Sequence, residues 1–183
     1  MKNNDSKAFF FFSAIHSILT GLFIFYIPLL LWSEFQSFSL LCFFIAIGGI
    51  SYLGILRIFE KLLKTTPLSL LIQISLWVPL VNFLVFLLFF DSFPLLLAIP
   101  YGIYMCFYYM LHRFLFFEIT KKHNSGKTFG NFQILVLIFL KISMLGSAFF
   151  IEKEQFLILL FLSIIVILYG NFQFSKVLKI IDF

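Results

Sequence analysis

The sequence predicts an all-α, polytopic membrane protein with six transmembrane helices, and three observations carry that prediction. Mean hydropathy is +1.10. Charged residues make up 11% of the 183 residues, against about 25% in soluble domains. A soluble domain of this length has too little interior to hide so much apolar surface. Third, apolar residues run on continuously instead of alternating, which argues for helices over a β-barrel.

A helix needs about 20 apolar residues to cross a bilayer. Six segments reach that length, at about 8–32, 38–59, 68–90, 93–117, 129–151 and 156–175, and they form one transmembrane domain over 1–183. The first could imitate a secretory signal, but it exceeds an h-region of about 7–15 residues and no small-residue cleavage site closes it. It is expected to remain as a spanning helix. The stretch SEFQS separates spans one and two, and KTTP separates two and three. Spans three and four are divided only by DSFP, where Asp91 and Pro94 favour a tight turn. KKHNSGK and EKEQ close the series.

Basic residues fix the orientation, because cytoplasmic loops collect lysine and arginine. With the N-terminus inside, the cytoplasmic face holds Lys2, Lys7, Arg57, Lys61, Lys64, Arg113, Lys121, Lys122, Lys127, Lys176 and Lys179. The outer face holds Lys153 alone, and Lys141 lies within a span. Eleven against one is a strong bias, and both termini are expected in the cytoplasm.

The net charge of +5 is therefore a topology signal and not a nucleic-acid footprint. Cys42 and Cys106 stand alone in apolar runs, and the absence of a CxxC pair leaves redox or zinc chemistry without support. Both are expected to be buried and inert. The sequence has no HExxH, GxSxG or P-loop, so neither an enzyme nor a cofactor is expected.

Polar side chains inside the spans form stripes. Ser13, His16, Ser17 and Thr20 share one face of the first helix. Tyr101, Tyr104, Tyr108 and His112 do the same on the fourth, and Gly130 and Lys141 fall nearly on one line of the fifth. Lys141 is the sharpest of these, since a charged lysine at mid-membrane costs at least about 2.5–3.5 kcal/mol. Two readings stand for it: a cavity cation that meets an anionic group of a solute, or a structural lysine bonded to hydroxyls or snorkelling. His16 has the pKa range of a proton relay, but no span carries an acid at depth, so a packing hydrogen bond is the plainer role. Asn82 and Gln73 are expected to bind helices together, and Gly48, Gly49 and Gly54 to let helix two approach a neighbour.

The stretch FYYMLHRFLFFEITKKHNSGKTFGNFQ, residues 107–133, resembles the fourth helix, cytoplasmic loop and fifth-helix start of the major facilitator superfamily. The positions that carry the resemblance are His112, Phe116, Phe117, Asn124, Ser125, Gly126, Lys127 and Gly130, where Ser125 stands in place of the family's arginine. Further on, SMLGS keeps Gly146 while Ser143 and Ser147 replace a proline and a glycine. The loop GILRIFEKLLKTTP keeps Gly54 and its basic residues without the family's aspartate and second glycine.

The resemblance implies the amino-terminal half of that fold, with two inverted three-helix repeats, and a substrate site between two such halves. It implies a half-length secondary transporter of a small solute that needs a second six-helix unit, either a copy or a separate chain. Lys141, His16, Thr20, Tyr101, Tyr104 and Tyr108 are its candidate cavity residues. His112, Asn124, Gly126, Lys127 and Gly130 are candidates for a cytoplasmic gate. The expected location is the plasma (inner) membrane. The alternative is a non-transporting fragment or accessory subunit of a split transporter gene, which the end at KVLKIIDF, just after span six, would fit.

Overall fold

The computed structural model describes the backbone of residues 3–120 and 125–178, and the side chains of 9–117 and 130–174. Among the described residues every regular element is helical. The α-helices are α1 (Asn3–Leu22), α2 (Ile27–Phe35), α3 (Phe38–Thr65), α4 (Leu68–Phe89), α5 (Ala98–Thr120), α6 (Ser125–Glu152) and α7 (Phe156–Leu178). Short 3-10 turns at Ile24–Tyr26 and Pro94–Leu97 precede α2 and α5. Among the described residues, five helical segments are long and apolar enough to span a membrane, and a sixth span forms if Phe9–Leu22 and Ile24–Phe35 count as one broken crossing. This is the architecture of an integral membrane protein.

Local chemistry sets the boundaries. Ser37 caps α3, its hydroxyl accepting from the Leu40 amide at 3.2 Å. Pro67 precedes α4, where a missing N–H costs nothing. Gln36 and Glu154, with φ of 45° and 56°, turn the chain between α2 and α3 and between α6 and α7.

The first span departs from the continuous helix expected over 8–32. It breaks at Phe23, whose φ is −150°. Pro28 has no N–H to offer the Ile24 carbonyl. The Gly21 carbonyl accepts a side-chain hydroxyl, described below, and the Tyr26 amide closes a 3-10 turn on the Phe23 carbonyl at 2.8 Å.

The chain divides into two compact units. One comprises Met1–Leu22 and Tyr109–Phe183, and the other Phe23–Tyr108. In the first unit α1 packs chiefly on α6, and also on α7. In the second, Phe23 stacks against Phe83 at 4.0 Å and Phe86 at 4.8 Å. Phe59 meets Phe107 edge-on at 5.1 Å.

Helices α3 and α5 touch through glycines: a Cβ on Gly102 would collide with the Gly48 carbonyl and come within 2.9 Å of Ser51 Cβ. Gly48 itself is buried, whereas added methyls at Gly49 and Gly54 would meet nothing within 4 Å. Of the three glycines expected to admit a neighbour, only Gly48 does so. The expectation of two buried cysteines holds for Cys106 and fails for Cys42, which is exposed on α3.

Candidate functional site

Helix α1 buries its polar stripe. Ser13, His16 and Ser17 are buried, and Thr20 is half-buried. Ser13 donates to the Phe9 carbonyl at 2.9 Å and Ser17 to the Ser13 carbonyl at 2.6 Å. Such bonds to the preceding turn satisfy a hydroxyl where water is absent. Across from them, Ser147 of α6 donates to the Gly21 carbonyl at 2.8 Å. Ser143 donates to the Phe139 and Leu140 carbonyls at 2.8 and 3.0 Å, and only grazes the Ser17 carbonyl at 3.5 Å. A Cβ on Gly21 would strike Ser143 Oγ and lie 2.7 Å from the Leu140 carbonyl. Small residues at four-residue spacing on both helices allow this approach, the usual way membrane helices gain van der Waals contact.

Two histidines belong to the same unit. His16 packs on Phe12 at 4.4 Å between ring centroids. His112, half-buried, packs on Phe132 at 4.4 Å and on Phe9 at 5.3 Å.

The second unit holds the tyrosines. Tyr104 is fully buried, Tyr108 stacks on it at 6.1 Å, and Tyr101 lies on Phe44 at 5.2 Å. Tyr101 also borders an apolar cavity of about 400 Å³ with Gly48, Tyr52 and Met105. Asn82 of α4 is buried and donates to the Pro100 carbonyl at 2.9 Å, which ties α4 to α5 as expected. Gln73 makes no hydrogen bond among the described residues. The fourth-helix stripe is thus shared, with Tyr101, Tyr104 and Tyr108 in one unit and His112 in the other.

Lys141 is not brought together with any of these groups. It is exposed on α6, among the exposed Ile134, Leu137, Ile138, Ile142 and Leu145. Ser143, two residues on, is turned about 200° round the helix, toward α1. Gly130 is exposed as well and lies inside α6, where an added methyl would touch nothing within 4 Å. Gly126 and Lys127 fall in the first turn of α6, but their side chains lie outside the described residues, and Asn124 lies outside them altogether.

Sequence reasoning missed the part played by Ser143 and Ser147, which it took as replacements and not as contacts. The available signal was the match of Ser143–Ser147 to Ser13–Ser17–Gly21, two runs of small residues at the same spacing. Among the described residues no three His, Cys, Asp or Glu side chains gather in a way that could hold a metal ion. Comparison of the chain with protein-family models, curated proteins and solved structures found no match.

Proposed function

We propose that this chain is a half-length secondary-transporter unit, similar in plan to one half of the major facilitator superfamily, that moves a small solute across the plasma (inner) membrane together with a second six-helix unit. In this reading its six spans form two inverted three-helix repeats. The supporting observation is Lys141, a mid-span cation on an outward face of α6. Charged side chains at that depth face a bundle interior or a watery cavity, because lipid penalises them by at least about 2.5–3.5 kcal/mol. A second unit facing α6 would make such a cavity, with Lys141 meeting an anionic group of the solute.

A second reading is a non-transporting accessory subunit. It is favoured by the first-helix stripe: Ser13 and Ser17 spend their hydroxyls on their own helix, and His16 is buried against Phe12. A stripe consumed in packing has little left for a solute.

The deciding experiment is the native mass of the tagged protein, taken from its own membranes into nanodiscs, with every co-purifying chain identified. A dimer or a complex with another six-helix chain supports the transporter unit. Solute flux in vesicles of that complex should then fall in Lys141→Met. A lone monomer sinks the two-unit transporter, and an assembly whose flux ignores Lys141→Met leaves the accessory subunit.

A further inference from the structure

The cavity beside Tyr101 is walled by three helices of one unit. Pro28 comes from α2, Gly48, Gly49 and Tyr52 from α3, and Tyr101 and Met105 from α5. At about 400 Å³ it falls in the range of small-molecule sites, about 300–1,000 Å³, which are mostly apolar with a few placed polar groups. A cavity of about 150 Å³ already takes benzene, so this one has room for two fused or linked rings. Gly48 and Gly49 put bare backbone in the wall, which lets a flat molecule approach closely. A methyl added at Gly49 would meet nothing within 4 Å.

Tyr52 supplies the polar group. It is half-buried and makes no hydrogen bond with any described residue. It stands near the centre of α3, fourteen residues from Phe38 and thirteen from Thr65, or about 20 Å of helix either way. Hydrocarbon at that depth offers no hydrogen-bond partner, and a hydroxyl left without one is costly. Phospholipid oxygens lie at the interface, about 15 Å from the midplane of a core about 30 Å thick, which is farther than a tyrosine side chain spans. An acyl chain would fill the volume and leave the hydroxyl unmet. A ring compound with a carbonyl oxygen answers both features: its rings fill the cavity, and its oxygen accepts from Tyr52.

We propose that the cavity between α2, α3 and α5 binds a lipophilic compound of about two rings that carries a carbonyl oxygen, of the aromatic-ketone or quinone kind, with Tyr52 as its hydrogen-bond donor. The proposal rests neither on a second six-helix unit nor on transport, so either reading can fail without the other.

The test uses benzophenone, a two-ring aromatic ketone that inserts into nearby C–H bonds under ultraviolet light, on the full chain in its own membranes. The expected label saturates and maps to Met105 or to the α3 wall around Gly49. Fluorenone, which keeps the carbonyl, competes for the site, and fluorene, which lacks it, competes far less. Tyr52→Phe removes only the hydroxyl and raises the half-saturating concentration about three- to fifteen-fold, the range of polar pairs in a bilayer. Gly49→Phe grows a ring into the open space and abolishes the label while the protein stays folded in mild detergent. Equal competition by fluorene, or half-saturation that ignores Tyr52→Phe, would mean a crevice filled by any hydrocarbon and overturns the proposal. So does label that never saturates, or that survives in folded Gly49→Phe. If Gly49→Phe misfolds, Tyr52→Phe and the fluorene competition decide.

Discussion

The closest contacts between helices are made by glycine and serine, and they set sharp limits on substitution. Gly102→Ala and Gly21→Ala each drive a methyl into a backbone carbonyl on a neighbouring helix. Each is expected to cost about 1–3 kcal/mol, the usual price of overpacking, read as a lower unfolding midpoint in mild detergent. Gly130→Ala and Gly49→Ala have open space and should hold or raise that midpoint, by up to about 1 kcal/mol from helix propensity. Ser147→Ala removes the hydroxyl that reaches the Gly21 carbonyl. About 0.6 kcal/mol is expected, with about 1.7 as the upper end for such bonds in a bilayer. The glycines show what a sequence can and cannot say at this scale. Gly48, Gly49 and Gly54 look alike in the sequence, but neighbouring residues point about 100° apart on a helix. Which one meets α5 depends on how α3 is rotated about its axis, and no local pattern fixes that rotation.

At the scale of elements, the broken first span is the feature that hydropathy hides. A run of 25 residues from 8 to 32 is long enough to cross unbroken, and the apolar signal does not change at Phe23. Pro28 was the legible clue. The other contributors are contacts distant in sequence: Ser147 at the Gly21 carbonyl, and Phe23 drawn onto Phe83 and Phe86. Pro28→Ala restores an amide donor and should extend α2 toward Ile24. Combined with Ser147→Ala, it should join α1 to α2 and slow hydrogen exchange of the Phe25–Ile27 amides about ten-fold or more. Unchanged exchange in the double variant would assign the break to the phenylalanine packing. The tight turn between α4 and α5 was readable from Asp91 and Pro94, because proline and a short polar break act locally.

Across the whole molecule, span number follows from length and hydropathy, and the expected orientation from basic residues alone. Single cysteines in a background with Cys42 and Cys106 changed to alanine test that orientation. Ser92→Cys and Gln155→Cys should react with a membrane-impermeant reagent from outside, and Thr66→Cys only after permeabilisation. Labelling of all three from one side would overturn the span order. The division into two units was not legible, because it depends on which helices pair. Hydropathy gives each span the same signature, and the pairing of α1 with α6 joins residues 126 apart.

That separation has a consequence in time. Ribosomes deliver about 5–20 residues per second, so Gly21 is made roughly 6–25 s before Ser147 exists to reach it. Asn82, by contrast, waits for Pro100 only 18 residues on, or about 1–4 s. The Phe23–Tyr108 unit can close during synthesis, while α1 stands in the bilayer with its Gly21 face uncovered until α6 arrives. A nascent chain halted before residue 125 should therefore keep α1 bound to an insertion chaperone or lose it to a membrane protease, and a pulse-chase of such truncations would time the handover.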